Sequence, residues 1–142
     1  MDKSKEYILM CEKAVEIQEL WNPDNADCVK GDFVGYIKES TKEAEYLDNT
    51  WKRQFSISRF CTNTESYGKY AWYLKEELIW LPRQDQLQEM IKDKYESLYD
   101  LWDAFGYFFV NNDSYFEQGW LMFVMKEKYN KVWNGSDWVE NG

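Results

Sequence analysis

The chain contains no histidine. That absence removes Ser–His–Asp and Cys–His nucleophile systems, histidine metal sites, and the side chain that usually shuttles protons near neutral pH. Cysteine is scarce as well. Cys11, Cys28 and Cys61 are odd in number, widely spaced and never arranged as C-x-x-C. They make neither a disulfide framework nor a zinc site and point to reduced thiols in a cytoplasm. No secretory leader is expected at the N-terminus, and no apolar run is long enough to span a bilayer. Two prolines and seven glycines leave little room for a disordered linker. Neither G-x-G-x-x-G nor G-x-x-x-x-G-K-[ST] occurs, and no segment repeats at a fixed period. Basic residues are outnumbered, 17 Lys and Arg against 26 Asp and Glu, for a formal charge of −9. This is the wrong sign for nonspecific binding to nucleic-acid backbones, which needs clustered Lys and Arg. It suits solubility or a basic protein partner.

What is abundant is aromatic. Phe, Trp and Tyr make up 19% of the chain, eight of them Trp, within a hydrophobic share of 44%. With 142 residues, that is enough apolar surface for a core without disulfides or metals, and residues 1–142 are expected to form a single domain.

The organising stretch is Ile79-Trp80-Leu81-Pro82-Arg83-Gln84-Asp85-Gln86-Leu87-Gln88-Glu89-Met90-Ile91. Residues 78–81 are an apolar run of strand length, and Pro82 biases Leu81 toward an extended conformation before a helix starts. Beyond Gln84, Leu87, Met90, Ile91, Tyr95, Leu98, Trp102 and Phe105 share one helical stripe. Asp85, Glu89, Asp93, Glu96, Asp100 and Asp103 follow one another by three or four residues, opposite that stripe if the helix is continuous. Lys92-Asp93-Lys94 is the candidate break, because Lys94 would point to the apolar side.

Around this stretch, residues 2–21 read as a helix with Tyr7, Met10, Cys11, Ala14, Ile17 and Trp21 on its apolar stripe, ended by turn residues 22–25. Strands are expected at 32–37, 51–60, 70–74 and 78–81, and residues 41–46 read as a helical turn or a loop. Ser114-Tyr115-Phe116-Glu117 matches a capping box opening a well-buried helix to Tyr129, with Asn130 as its stop. Residues 131–139 read as a hairpin, Asn134-Gly135 suiting a turn with positive φ at both central positions. The class is α+β: an N-terminal helix, a small central mostly antiparallel sheet, two or three further helices and a C-terminal hairpin.

Three chemical readings stand. Carboxylates six deep on one helix, with neighbouring Cβ atoms about 5–6 Å apart, would form a negative ladder able to compete with phosphates for a basic groove. The plainer account is the solvated back of an amphipathic helix. Trp51, Tyr70 and Trp72 with Arg53 and Arg59 could stack a base or hold a nucleotide, or equally form the core and rim of a sheet. Third, Glu43 with Glu45 and Glu76 with Glu77 are carboxylate pairs of the kind used in acid–base hydrolysis, but nothing beside them would raise a pKa. Trp102 and Phe105 could face a second subunit in a homodimer. No cofactor and no metal is expected.

Three stretches are familiar in combination: Trp80-Leu81-Pro82-Arg83-Gln84-Asp85-Gln86-Leu87-Gln88-Glu89-Met90, then Phe123-Val124-Met125-Lys126-Glu127-Lys128-Tyr129, then Val132-Trp133-Asn134-Gly135 with Trp138-Val139. Together with the opening helix they resemble a family of small, uncharacterised phage and prophage proteins of Gram-positive bacteria; residues 28–78 do not share the likeness. The family brings no site residues. The resemblance implies a phage accessory protein in a bacterial host cytoplasm, of a kind that binds a host protein or sequesters a nucleotide signal; from charge and hydropathy the expected protein partner is basic, and direct contact to nucleic acid or membrane is not expected.

Overall fold

The computed structural model describes residues 2–22, 32–38, 54–60 and 78–142. Contacts group the chain into two compact units, Met1–Gln18 with Pro82–Gly142, and Glu19–Leu81.

In the first unit the opening segment forms two helices rather than one. Helix α1 (Lys5–Lys13) starts where Ser4 Oγ accepts from the Tyr7 amide at 3.1 Å, and α2 (Val15–Leu20) follows Ala14, whose ψ of 70° leaves the helical range. At the break the Cys11 carbonyl accepts from the Ala14 amide at 3.2 Å and from the Gln18 side chain at 2.9 Å. The apolar stripe survives: Tyr7, Met10, Cys11, Ala14 and Ile17 are buried here, and Trp21 is buried in the second unit. After Pro82 come α3 (Gln84–Ile91), a 3-10 turn at Lys92–Lys94, α4 (Leu98–Val110) and α5 (Phe116–Tyr129). Helix α5 is the centre of this unit and packs on α1, α3 and α4. Its Trp120, Leu121, Phe123, Val124 and Met125 are buried, as expected of a helix apolar nearly all round. Its one buried amide, Gln118, is satisfied by Asp2 Oδ2 at 2.9 Å and Ser4 Oγ at 3.1 Å.

The capping box at Ser114 does not form. Helix α5 begins one residue later with Tyr115 as N-cap, and Ser114 Oγ is buried without a hydrogen-bond partner. The ring of Phe116, the first residue of α5, belongs to the aromatic cluster of this unit. It packs against Trp102, Phe105 and Phe109 at 6.3, 5.6 and 5.7 Å. Such pairs contribute about 0.5–1.5 kcal/mol each, against about 1 kcal/mol for a cap.

At the other end Asn130 closes α5 in the left-handed region, φ 53°. The hairpin β4 (Lys131–Trp133) and β5 (Trp138–Glu140) follows, but its turn differs from expectation. Gly135 alone has positive φ there, 101°. Asn134 instead anchors a longer loop through Oδ1, which accepts from the Ser136 and Asp137 amides at 2.9 Å each. Trp138 Nε1 donates to the Met10 carbonyl at 2.9 Å, and Lys131 is hydrogen-bonded to Glu16. Partial burial pushes the Glu16 carboxyl up, but the hydrogen bond from Lys131, a backbone hydrogen bond and the Lys131 charge together hold the group below its ordinary value; the Lys131 ammonium is correspondingly raised by Glu16. A depressed acid stabilises above its unfolded pKa, and a raised base stabilises below its own. Lys131→Met should therefore lower Tm across the neutral range, with the difference vanishing in acid as Glu16 protonates and in strong alkali as Lys131 discharges. Paired melting curves over pH check this.

The second unit holds an antiparallel sheet of β1 (Asp32–Lys38), β2 (Gln54–Phe60) and β3 (Leu78–Leu81) in the order β2-β1-β3, with Asp32 opposite Phe60 and Phe33 opposite Leu81. Trp21 stacks on Trp80 with centroids 6.4 Å apart, and its Nε1 donates to the buried Asp32 carboxylate at 3.0 Å. Together these elements make the fold α+β. The strand expected at 70–74 and the segment 41–46 lie outside the described residues.

Candidate functional site

The six acids do not form one ladder. The helix expected to carry them stops at Ile91, passes through the 3-10 turn, and is extended at Tyr95 (φ −122°, ψ 143°) before restarting at Leu98. Asp85, Glu89, Asp93, Glu96, Asp100 and Asp103 are all exposed, yet they sit on three successive pieces of backbone. Two are paired with cations. Asp85 takes a bidentate contact from Arg83, at 2.9 and 3.2 Å, and Glu89 lies 2.5 Å from Lys92. Asp100 is committed to the start of α4, where Ser97 Oγ donates to its carboxylate at 2.8 Å and accepts from its amide at 3.2 Å. That leaves Asp93, Glu96 and Asp103 exposed and without an ion pair among the described residues.

The break also rephases the apolar stripe. In α3, Leu87 and Ile91 are buried as expected. In α4 the buried positions are Leu101 and Phe105, while Leu98 is 65% and Trp102 43% exposed. Phe105, expected as a possible subunit contact, is instead sealed by Trp120, its ring parallel at 3.7 Å. The outward side of α4 therefore presents Tyr99, Trp102, Tyr107 and Val110 to solvent beside Asp100 and Asp103. A groove of about 800 Å³ runs along it, with Trp102, Asp103, Gly106, Tyr107 and Val110 on the α4 wall and Lys126 and Glu127 on α5.

The far wall is tied down. Lys94 hydrogen-bonds the Glu127 carbonyl and reaches its carboxylate at 3.9 Å, and Tyr95 Oη lies 3.5 Å from the same carboxylate. Burial, then the Glu127 charge, pushes the Tyr95 phenol up to about 12. Lys126 Nζ sits 5.4 Å over the Phe108 ring.

No family model, curated protein or solved structure matches the chain.

Of the residues expected to hold a nucleotide, Trp51, Arg53, Tyr70 and Trp72 lie outside the described residues, as do both carboxylate pairs; Arg59 is in β2, opposite Phe33. Among the described residues no three His, Cys, Asp or Glu are grouped to hold a metal. Nor is any helix there long and apolar enough to cross a membrane. Cys11 and Tyr7 are fully buried, and burial pushes both the thiol and the phenol up, away from the charged forms that nucleophilic chemistry needs.

One signal in the sequence marks this surface better than the six-acid spacing. Residues 95–125 contain Glu96, Asp100, Asp103, Asp113 and Glu117 and not one Lys or Arg. A second, Ser97-x-x-Asp100, marks the restart of the helix.

Proposed function

We propose that this is a non-enzymatic binding protein that captures a basic protein partner on the acidic and aromatic side formed by residues 92–97 and α4. The observation that carries the reading is the set Asp93, Glu96 and Asp103, exposed and without a salt bridge among the described residues, next to exposed Tyr99, Trp102 and Tyr107. Carboxylates give such a surface long-range attraction for Lys and Arg, and the aromatic faces give short-range contact to the same groups. The setting we propose, a phage accessory protein acting on a host factor in a bacterial cytoplasm, rests on the sequence resemblance.

The test is capture from bacterial lysate with the parent chain and with Asp93→Lys/Glu96→Lys/Asp103→Lys, followed by identification of what is retained. The parent should hold a basic protein that is released at about 1 M salt, where the Debye length is about 3 Å. The charge-reversed chain should lose it. Equal retention by both chains would remove the reading.

A further inference from the structure

Helix α4 carries a glycine that its own fold does not require. Gly106 lies inside a 13-residue helix, where glycine weakens the helix relative to alanine, and a Cβ built there meets nothing within 4 Å. Gly119 in α5 is the counterexample, because there the Phe109 ring fills the place of the missing side chain. Trp102, Gly106 and Val110 are spaced by four and so lie along one side of α4, with Val110 80% exposed. The glycine is thus a notch between two exposed apolar side chains, flanked by Asp103 and the exposed ring of Tyr107.

Charge selects what can enter. Residues 95–125 carry no Lys or Arg, and among the described residues the groove's one lining cation, Lys126, is on the α5 wall, so a second copy laid α4 against α4 would set Asp100 and Asp103 against their own kind. Anionic surfaces are repelled for the same reason. We propose that this notch is the docking point of a cationic amphipathic protein segment, which seats an apolar side chain at Gly106 and pairs a Lys or Arg with Asp103. The inference rests on the basic-partner reading above and supplies its site. Lys126, on the opposite wall and already over Phe108, steers the incoming cation to the α4 side.

The experiment is an anisotropy titration of the full chain with a fluorescein-labelled synthetic helical peptide of Leu and Lys, and with its counterpart in which Glu replaces Lys. The parent should bind the Lys peptide and not the Glu peptide. Gly106→Leu, which alters no charge and whose Cβ meets nothing within 4 Å, should weaken binding by about tenfold or more while leaving the melting temperature undiminished. Gly106→Ala should raise that temperature and weaken binding less. Asp103→Lys should weaken binding and flatten its salt dependence. Unchanged affinity in Gly106→Leu would overturn the notch while leaving charge-driven binding in place. No binding of the Lys peptide by the parent at low ionic strength would overturn both. A parent dimer in sedimentation that Gly106→Leu dissociates would give the face to a second copy and overturn the cationic occupant.

Discussion

Trp120→Ala is expected to cost about 3–5 kcal/mol, the range for deleting a large aromatic from a closed core. The Trp120 side chain is fully buried, lies parallel to Phe105 at 3.7 Å, and meets Trp102 and Phe123 edge-on at 5.3 and 6.0 Å. It therefore joins α4 to α5 at the point where most of the ring contacts converge. A native domain has only about 5–15 kcal/mol in total, so the variant should unfold at much lower urea and lose near-UV ellipticity. Trp120→Phe gives the opposite arm. The indole N–H is buried with no hydrogen-bond partner, and such a group costs about 1–3 kcal/mol. Phenylalanine removes that group with part of the ring, so its loss should be well under half that of alanine. Equal midpoints for parent and Trp120→Ala would mean that the ring cluster does not hold the two helices.

That cluster also explains which parts of the fold could be read in advance. The stripe of α1 and α2 was legible because its residues recur at helical spacing through the break at Ala14. Asn130 was legible because asparagine tolerates the left-handed conformation that ends a helix. The two Ser-x-x-acid motifs show the limit. Ser97-x-x-Asp100 is used, and its use interrupts a pattern that periodicity alone runs straight through. Ser114-x-x-Glu117 is not used: the N-cap is Tyr115, and Ser114 Oγ is buried beside α5 instead. The same local motif thus serves one helix start and is passed over at another, and the four-residue pattern does not distinguish them. The candidate surface follows the same rule. The exposure of all six acids was readable, and so was the break at Lys92-Asp93-Lys94; the extended backbone at Tyr95 and the restart after Ser97, which set Glu96 apart from Asp100, were not. The value of Gly106 emerges only once the neighbours of an absent side chain are known.

Gly119→Ala is the second large effect, and its sign comes from two opposed terms. Replacing glycine inside a helix gains about 0.5–1 kcal/mol. Against this, the new Cβ would lie 2.6 and 2.8 Å from the Phe109 ring carbons and 3.3 Å from Ser114 Oγ. Overpacking of that kind costs about 1–3 kcal/mol. The ring has little freedom to yield, since Phe109 is stacked on Phe105 at 5.4 Å and meets Phe116 edge-on at 5.7 Å. The net expectation is a loss of about 1–2 kcal/mol, seen as a Tm lower by several degrees. Phe109→Leu should recover part of the loss when combined with Gly119→Ala, giving a favourable coupling in a double-mutant cycle. Additive effects would place the strain elsewhere than the Phe109 ring. The same glycine-to-alanine change made at 106, where the Cβ meets nothing, should move Tm upward. Opposite shifts at the two positions would show that α5 needs its glycine for the fold, whereas α4 does not.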